Sequence, residues 1–122
     1  MNKASDLLVI TKTKLLCSYI FTITQKSPKQ FRFSIVAKLQ NYALEAIEQL
    51  YRANDMVLNS QNMMRREQCQ RNAMTAFRLL GYMAELGSEQ GAILPKQLEK
   101  IAKQLSDCRN CQLLVHKVGL GA

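Results

Sequence analysis

The stretch "SPKQFRFSIVAKLQNYALEAIEQLYRAND", residues 27–55, decides the fold. Within it Lys38, Asn41, Glu45, Glu48, Arg52 and Asp55 recur at alternating steps of three and four residues, the spacing of one face of an α-helix. Apart from Gln40 and Gln49, almost everything else from Ile35 onward is apolar. Val36, Ala43 and Leu50 lie opposite the polar stripe. Ile35, Leu39, Tyr42, Ala46 and Ala53 take one flank, and Ala37, Leu44, Ile47 and Tyr51 the other. One bundle core needs a single apolar stripe. An arc this wide predicts a helix buried on two sides, once in its own bundle and once against another subunit. The candidate oligomer interface is therefore Ile35, Leu39, Tyr42, Leu44, Ile47 and Tyr51.

Working outward, Ser27 is a preferred helix N-cap and Pro28 suits the first helical position, where a missing N–H costs nothing. The pair predicts the end of one helix and the start of the next. The same reading places breaks at 26–28, 54–60 and 87–95, giving helices over 5–25, 29–54, 61–86 and 95–117. Residues 19–24 are the one ambiguous piece, and they continue an apolar helical pattern. The fourth segment sets Leu98, Ile101, Leu105, Cys108 and Val115 on one face and Lys96, Lys100, Lys103 and Asp107 on another. The fold class is all-α: an antiparallel up-down-up-down four-helix bundle over 1–118 with a flexible Gly-containing tail at 119–122.

A chain of 122 residues is one domain long and can bury a core without disulfides or metals. Lys and Arg number 17 against nine acids, a formal charge of +8 and a pI near 9.6. That surplus favours a polyanionic partner, nucleic acid first and otherwise an acidic protein or membrane surface. The charge is spread along the chain rather than held in a tail. Cys17, Cys69, Cys108 and Cys111 read as reduced thiols of a cytosolic protein. The uncharged run at 15–25 is too short for a bilayer, so neither a signal peptide nor an anchor is expected.

Catalytic and metal patterns are thin. Glu45 and Glu48 place two carboxylates on one helix, but a hard-cation site needs a second acidic pair, and the other acids are scattered. Cys108, Cys111 and His116 offer three soft ligands where a structural zinc takes four. Mid-helix cysteines also lack the N-terminal turn that stabilises a thiolate. No phosphate-binding glycine loop or nucleophile elbow occurs. The expectation is no enzyme, no metal and no cofactor, with the cysteines as small core residues and His116 at a helix end.

What remains is the basic surface. The candidate phosphate contacts are Arg65, Arg66, Arg71 and Arg78 on the third helix and Lys96, Lys100, Lys103 and Arg109 on the fourth. Lys117 and a cluster at Lys26, Lys29 and Arg32 add to it. Phe31 and Phe33 could stack on bases, but as bundle residues they are expected to cover the core at the corner between the first two helices.

The order of "SPKQFRFSIVAKLQNYALEAIEQLYRAN" and "RREQCQRNAMTAFRLLGYMAELGSEQGAILPKQLEKIAKQLSDCRN" resembles the four-helix-bundle family of the accessory variability determinants of diversity-generating retroelements. More distant members are encoded by intervening sequences of 23S ribosomal RNA genes, whose signature after the second helix this chain lacks. The resemblance runs from Leu7 to Lys117. It implies a homopentameric barrel that binds nucleic acid without a strict sequence code and partners a reverse transcriptase. Such a protein would support mutagenic copying of a template RNA into cDNA without catalytic residues of its own. A second reading stays open: a helical interaction module whose basic face meets an acidic protein.

Overall fold

The computed structural model describes residues 3–121, with side chains described for 6–113. Four α-helices follow in order: α1 (Lys3–Thr24), α2 (Ala37–Asp55), α3 (Met63–Gln90) and α4 (Pro95–Gly121). No strand occurs among the described residues. Each helix packs on two others: α1 and α3 each meet α2 and α4. The core runs between them through Leu16, Ile20, Leu39, Phe77, Leu80 and Ile101, all fully buried. Phe77 is the largest of these, and truncating a ring so enclosed removes about 3–5 kcal/mol.

The polar stripe of α2 lies where its spacing puts it. Lys38, Asn41, Glu45, Glu48, Arg52 and Asp55 are all exposed, while Leu39, Ala43, Ala46, Leu50 and Ala53 are buried. Contacts fix its neighbours. Gln40 Nε2 donates to Thr24 Oγ1 at 3.1 Å and Cys17 Sγ to the Ala43 carbonyl at 3.3 Å, both from the α1 side. Asn72 Nδ2 donates to Gln49 Oε1 at 3.3 Å from the α3 side.

The chain enters α2 differently from the Ser-Pro expectation. Pro28 is extended, with ψ 142°, and begins a 3₁₀ turn (Lys29–Phe31), which a five-residue π turn (Arg32–Val36) joins to α2. Ser27 caps nothing, and its buried hydroxyl has no hydrogen-bond partner. Pro28 itself takes the extended place before the turn, so Ser27 falls one residue too early to cap it. The wide turn then carries one segment from extended to helical backbone.

The other ends also shift. α3 does not stop at residue 86 but continues to Gln90, because Gly87 is a packing glycine rather than a terminator. A Cβ there would lie 3.1 Å from Ile35 Cγ2. Termination falls to Gly91, whose φ of 89° only glycine adopts without strain. Its neighbours complete the cap, with the Ala92 and Ile93 amides donating to the Gly87 carbonyl at 2.7 and 3.3 Å. α4 opens with Pro95 in the first helical position, and Gln97 Oε1 reaches back to the Leu94 amide at 2.8 Å. Its backbone runs through the residues read as a tail as far as Gly121; Ala122 lies outside the described residues, as do the His116 and Lys117 side chains.

By length and composition α1 is the one described helix long and apolar enough to cross a membrane, over Asp6–Thr24. In the bundle, 39% of that window is buried. The buried part includes Val9, Ile10, Leu16, Ile20 and Ile23 of the core together with the polar Asp6, Thr13 and Thr24.

Candidate nucleic-acid interface

The eight candidate phosphate-binding residues fall into four places. Arg66 leaves the set altogether. It is only 8% exposed, and its Nη2 donates to both carboxylate oxygens of Asp6, at 2.8 and 2.7 Å. This pair bridges α1 and α3 across 60 residues of sequence. Desolvating an arginine demands such a partner, so Arg66 holds the bundle together and offers no phosphate contact.

Arg71 and Arg78 do come together. They lie two turns apart on α3 and line one groove of about 280 Å³ with Gln70, Met74, Thr75, Gln112 and Leu113. Gln112 is 1% exposed, and among the described residues its amide has neither a donor nor an acceptor partner. Leu113 continues into a second groove between α3 and α4, where Arg109 sits with Ser106, Asn110 and Glu85. One seam therefore carries Arg71, Arg78 and Arg109. Arg71 is tethered to Glu67 at 2.7 Å, an exposed i,i+4 pair of little strength.

The remaining cations point elsewhere. Arg65 is exposed two turns before Asn72 and so belongs to the α2 side of α3. Lys100 stands 4.4 Å from the centre of the Tyr19 ring, a cation–π contact that places it on the α1 side of α4. Lys96 and Lys103 share that flank by helical spacing, away from Arg109. All three lysines are exposed.

At the corner between α1 and α2 the two phenylalanines part company. Phe31 packs against the core as expected. Phe33 does not: it is 89% exposed, the most exposed large apolar side chain described. Residues two apart stand on opposite sides of a helical turn, so with Phe31 on the core the chain turns Phe33 outward.

The expected oligomer face also divides. Ile35 and Leu39 are buried in the chain's own core, so they are not available to a partner. Tyr42 and Ile47 are half-buried, whereas Leu44 and Tyr51 are exposed. Lys14 of α1 stands over the Tyr51 ring at 5.6 Å, so this flank looks toward α1. There it meets an apolar face that the sequence reading passed over: Leu7, Leu8, Leu15 and Phe21 are all exposed. Thr11 and Thr22 share it with their hydroxyls turned back onto the Leu7 and Ser18 carbonyls, at 2.9 and 2.8 Å.

Among the described residues no three His, Cys, Asp or Glu side chains gather as a metal set. Glu45 accepts from Gln49 and Glu48 pairs with Arg52 at 3.1 Å, both within their own helix. Cys17 and Cys108 are pushed up to about 11, chiefly by burial, which keeps them as neutral thiols at physiological pH. Compared with known proteins, the chain matches no family model, no curated sequence and no solved structure.

Proposed function

We propose that this chain is a non-catalytic, nucleic-acid-binding accessory subunit of a reverse transcriptase in a diversity-generating retroelement. In this reading it supports mutagenic cDNA synthesis from a template RNA in the cytoplasm. The observation that carries the binding part is the α3–α4 seam. Two arginines and the Thr75 hydroxyl surround a buried amide with unsatisfied hydrogen-bonding groups, and Arg109 extends the same seam. Guanidinium forks and neutral donors of that kind suit phosphate oxygens and read no base. The polymerase partner rests on the resemblance of the two quoted stretches.

The up-down-up-down course of the bundle belongs to the same proposal. It is supported by Thr24 meeting Gln40, Gln49 meeting Asn72, and Gly87 facing Ile35. So does assembly into a homopentamer, for which the apolar face of Leu7, Leu8, Leu15, Phe21, Leu44 and Tyr51 supplies unpaired surface.

The test is binding of labelled RNA and DNA across a salt series, with light scattering at high salt for the subunit number. Affinity should fall steeply as salt rises and depend little on sequence. Charge reversal at Arg71 and Arg78 should weaken binding to both nucleic acids. A variant that keeps RNA affinity but loses an acidic protein partner would establish the interaction-module reading instead.

A further inference from the structure

Between Leu7 and Leu44 the chain contains no aspartate or glutamate, yet it carries Lys12, Lys14, Lys26, Lys29, Arg32 and Lys38. The last four fall at the α1–α2 corner, on either side of Phe33, and all four are exposed. None makes an ion pair with any described carboxylate. The end of α3 is the corner's neighbour, through Gly87 against Ile35, but Glu85 there turns into the α3–α4 groove. Phe33 itself lies within the π turn at 89% exposure, with the exposed polar residues Gln30 and Ser34 on either side. A wide turn of this type often marks a functional position, and here it carries a bare aromatic ring among cations.

We propose that this corner is a single-strand nucleic-acid site, in which the Phe33 ring stacks on an unpaired base and Lys26, Lys29 and Arg32 hold the flanking phosphates. The inference rests on the nucleic-acid reading above but names a site separate from the arginine seam. A flat aromatic face among cations is how single strands are gripped without a sequence code, because every base has a π-face and every linkage a phosphate. Duplex DNA or RNA keeps its bases stacked inside and offers the ring nothing. A lipid surface fits less well. Interfacial insertion needs a broad apolar face, and here a lone ring stands among Lys29, Gln30, Arg32 and Ser34.

The chain has no tryptophan, so Phe33→Trp installs a single tryptophan at the site, whose emission is excited apart from that of the four tyrosines. Uridine 12-mer RNA should quench that reporter, while a 12-base-pair duplex, despite carrying about twice the phosphates, and inorganic phosphate should leave it unchanged. Vesicles of phosphatidylserine should leave it unchanged too; a blue shift with them and no quenching by RNA would assign the corner to membranes and overturn the proposal. In parallel, Phe33→Ala should weaken 12-mer binding between roughly 5- and 100-fold with duplex affinity intact, and Phe33→Tyr should restore it. Unfolding midpoints for these variants should match the parent, given the exposure of the ring. If the parent binds both nucleic acids and Phe33→Ala binds the single strand equally well, this site is refuted while the seam survives. If the parent binds neither at low salt, both fall.

Discussion

The two ends of α1 handle cations in opposite ways. At its start, Arg66 is buried against Asp6 with both carboxylate oxygens engaged. At its end, about 30 Å away at 1.5 Å per residue, Lys26, Lys29 and Arg32 stand in solvent with no acidic partner. The first arrangement is structural, because a desolvated guanidinium can exist only where a carboxylate is fixed to meet it. The second adds no ion pair to the fold, and like charges held close repel one another. The same residue types therefore belong to stability at one end and to recognition at the other.

The largest effect should follow from breaking the buried pair. Asp6→Asn or Arg66→Met should each lower the free energy of unfolding by about 3–5 kcal/mol, since each leaves an uncompensated group in the interior. Urea unfolding followed by circular dichroism measures it. Asp6→Leu combined with Arg66→Met should recover most of the loss, because an apolar pair of similar volume removes both desolvation costs. Single variants that unfold like the parent would mean that water reaches the pair, and the contrast between the two ends would lose its basis.

A smaller effect tests the packing beneath the corner. Gly87→Ala puts a methyl group 3.1 Å from Ile35 Cγ2, which outweighs the gain of about 1 kcal/mol from helix propensity. We expect a net loss of about 1 kcal/mol. Gly81→Ala is the control. Its methyl would meet Leu105 Cδ1 at an ordinary 3.5 Å, and the variant should be more stable than the parent by about 0.5–1 kcal/mol. Two glycines on one helix would then respond with opposite signs.

These positions also show what the sequence reveals. The four helices and the solvent stripe of α2 are legible because they are periodic, and periodicity is local. Asp6 and Arg66 are two charges 60 residues apart, and nothing near either one announces the other. Gly87 and Gly91 look alike as terminators; only the approach of Ile35 identifies the first as a contact. Phe31 and Phe33 are two residues apart and cannot share a helical face; which of them meets the core is set by how the short turns at 29–36 dock on the bundle. The seam was half legible. Arg71 and Arg78 share a face by their spacing of seven, but Arg109 and Gln112 join them only through the packing of α4 on α3.

An exposed pair places the buried one on a scale. Glu67→Gln removes the partner of Arg71, whose side chain is 66% exposed, and should cost less than 1 kcal/mol. It should also free the guanidinium for phosphate, so RNA binding should tighten modestly while stability barely moves. Weaker RNA binding in Glu67→Gln would show that the carboxylate positions Arg71 rather than competing for it.

The smallest change in stability should come from the corner. Replacing Lys26, Lys29 and Arg32 together by Gln removes three charges that have no ionic partner, so no favourable pair is lost. Unfolding free energy should stay within about 0.5 kcal/mol of the parent, since relief of repulsion among the three cations is offset by loss of Lys26 beside the C-terminal end of α1, and both effects shrink at high salt. The same variant should lose affinity for single-stranded RNA, and the slope of log affinity against log salt should fall by about 0.7 for each lost phosphate contact. Stability and binding would then be uncoupled at this end of the bundle. A substantial destabilisation would instead mean that these cations brace the turn into α2, and the corner would join Asp6 and Arg66 as part of the scaffold.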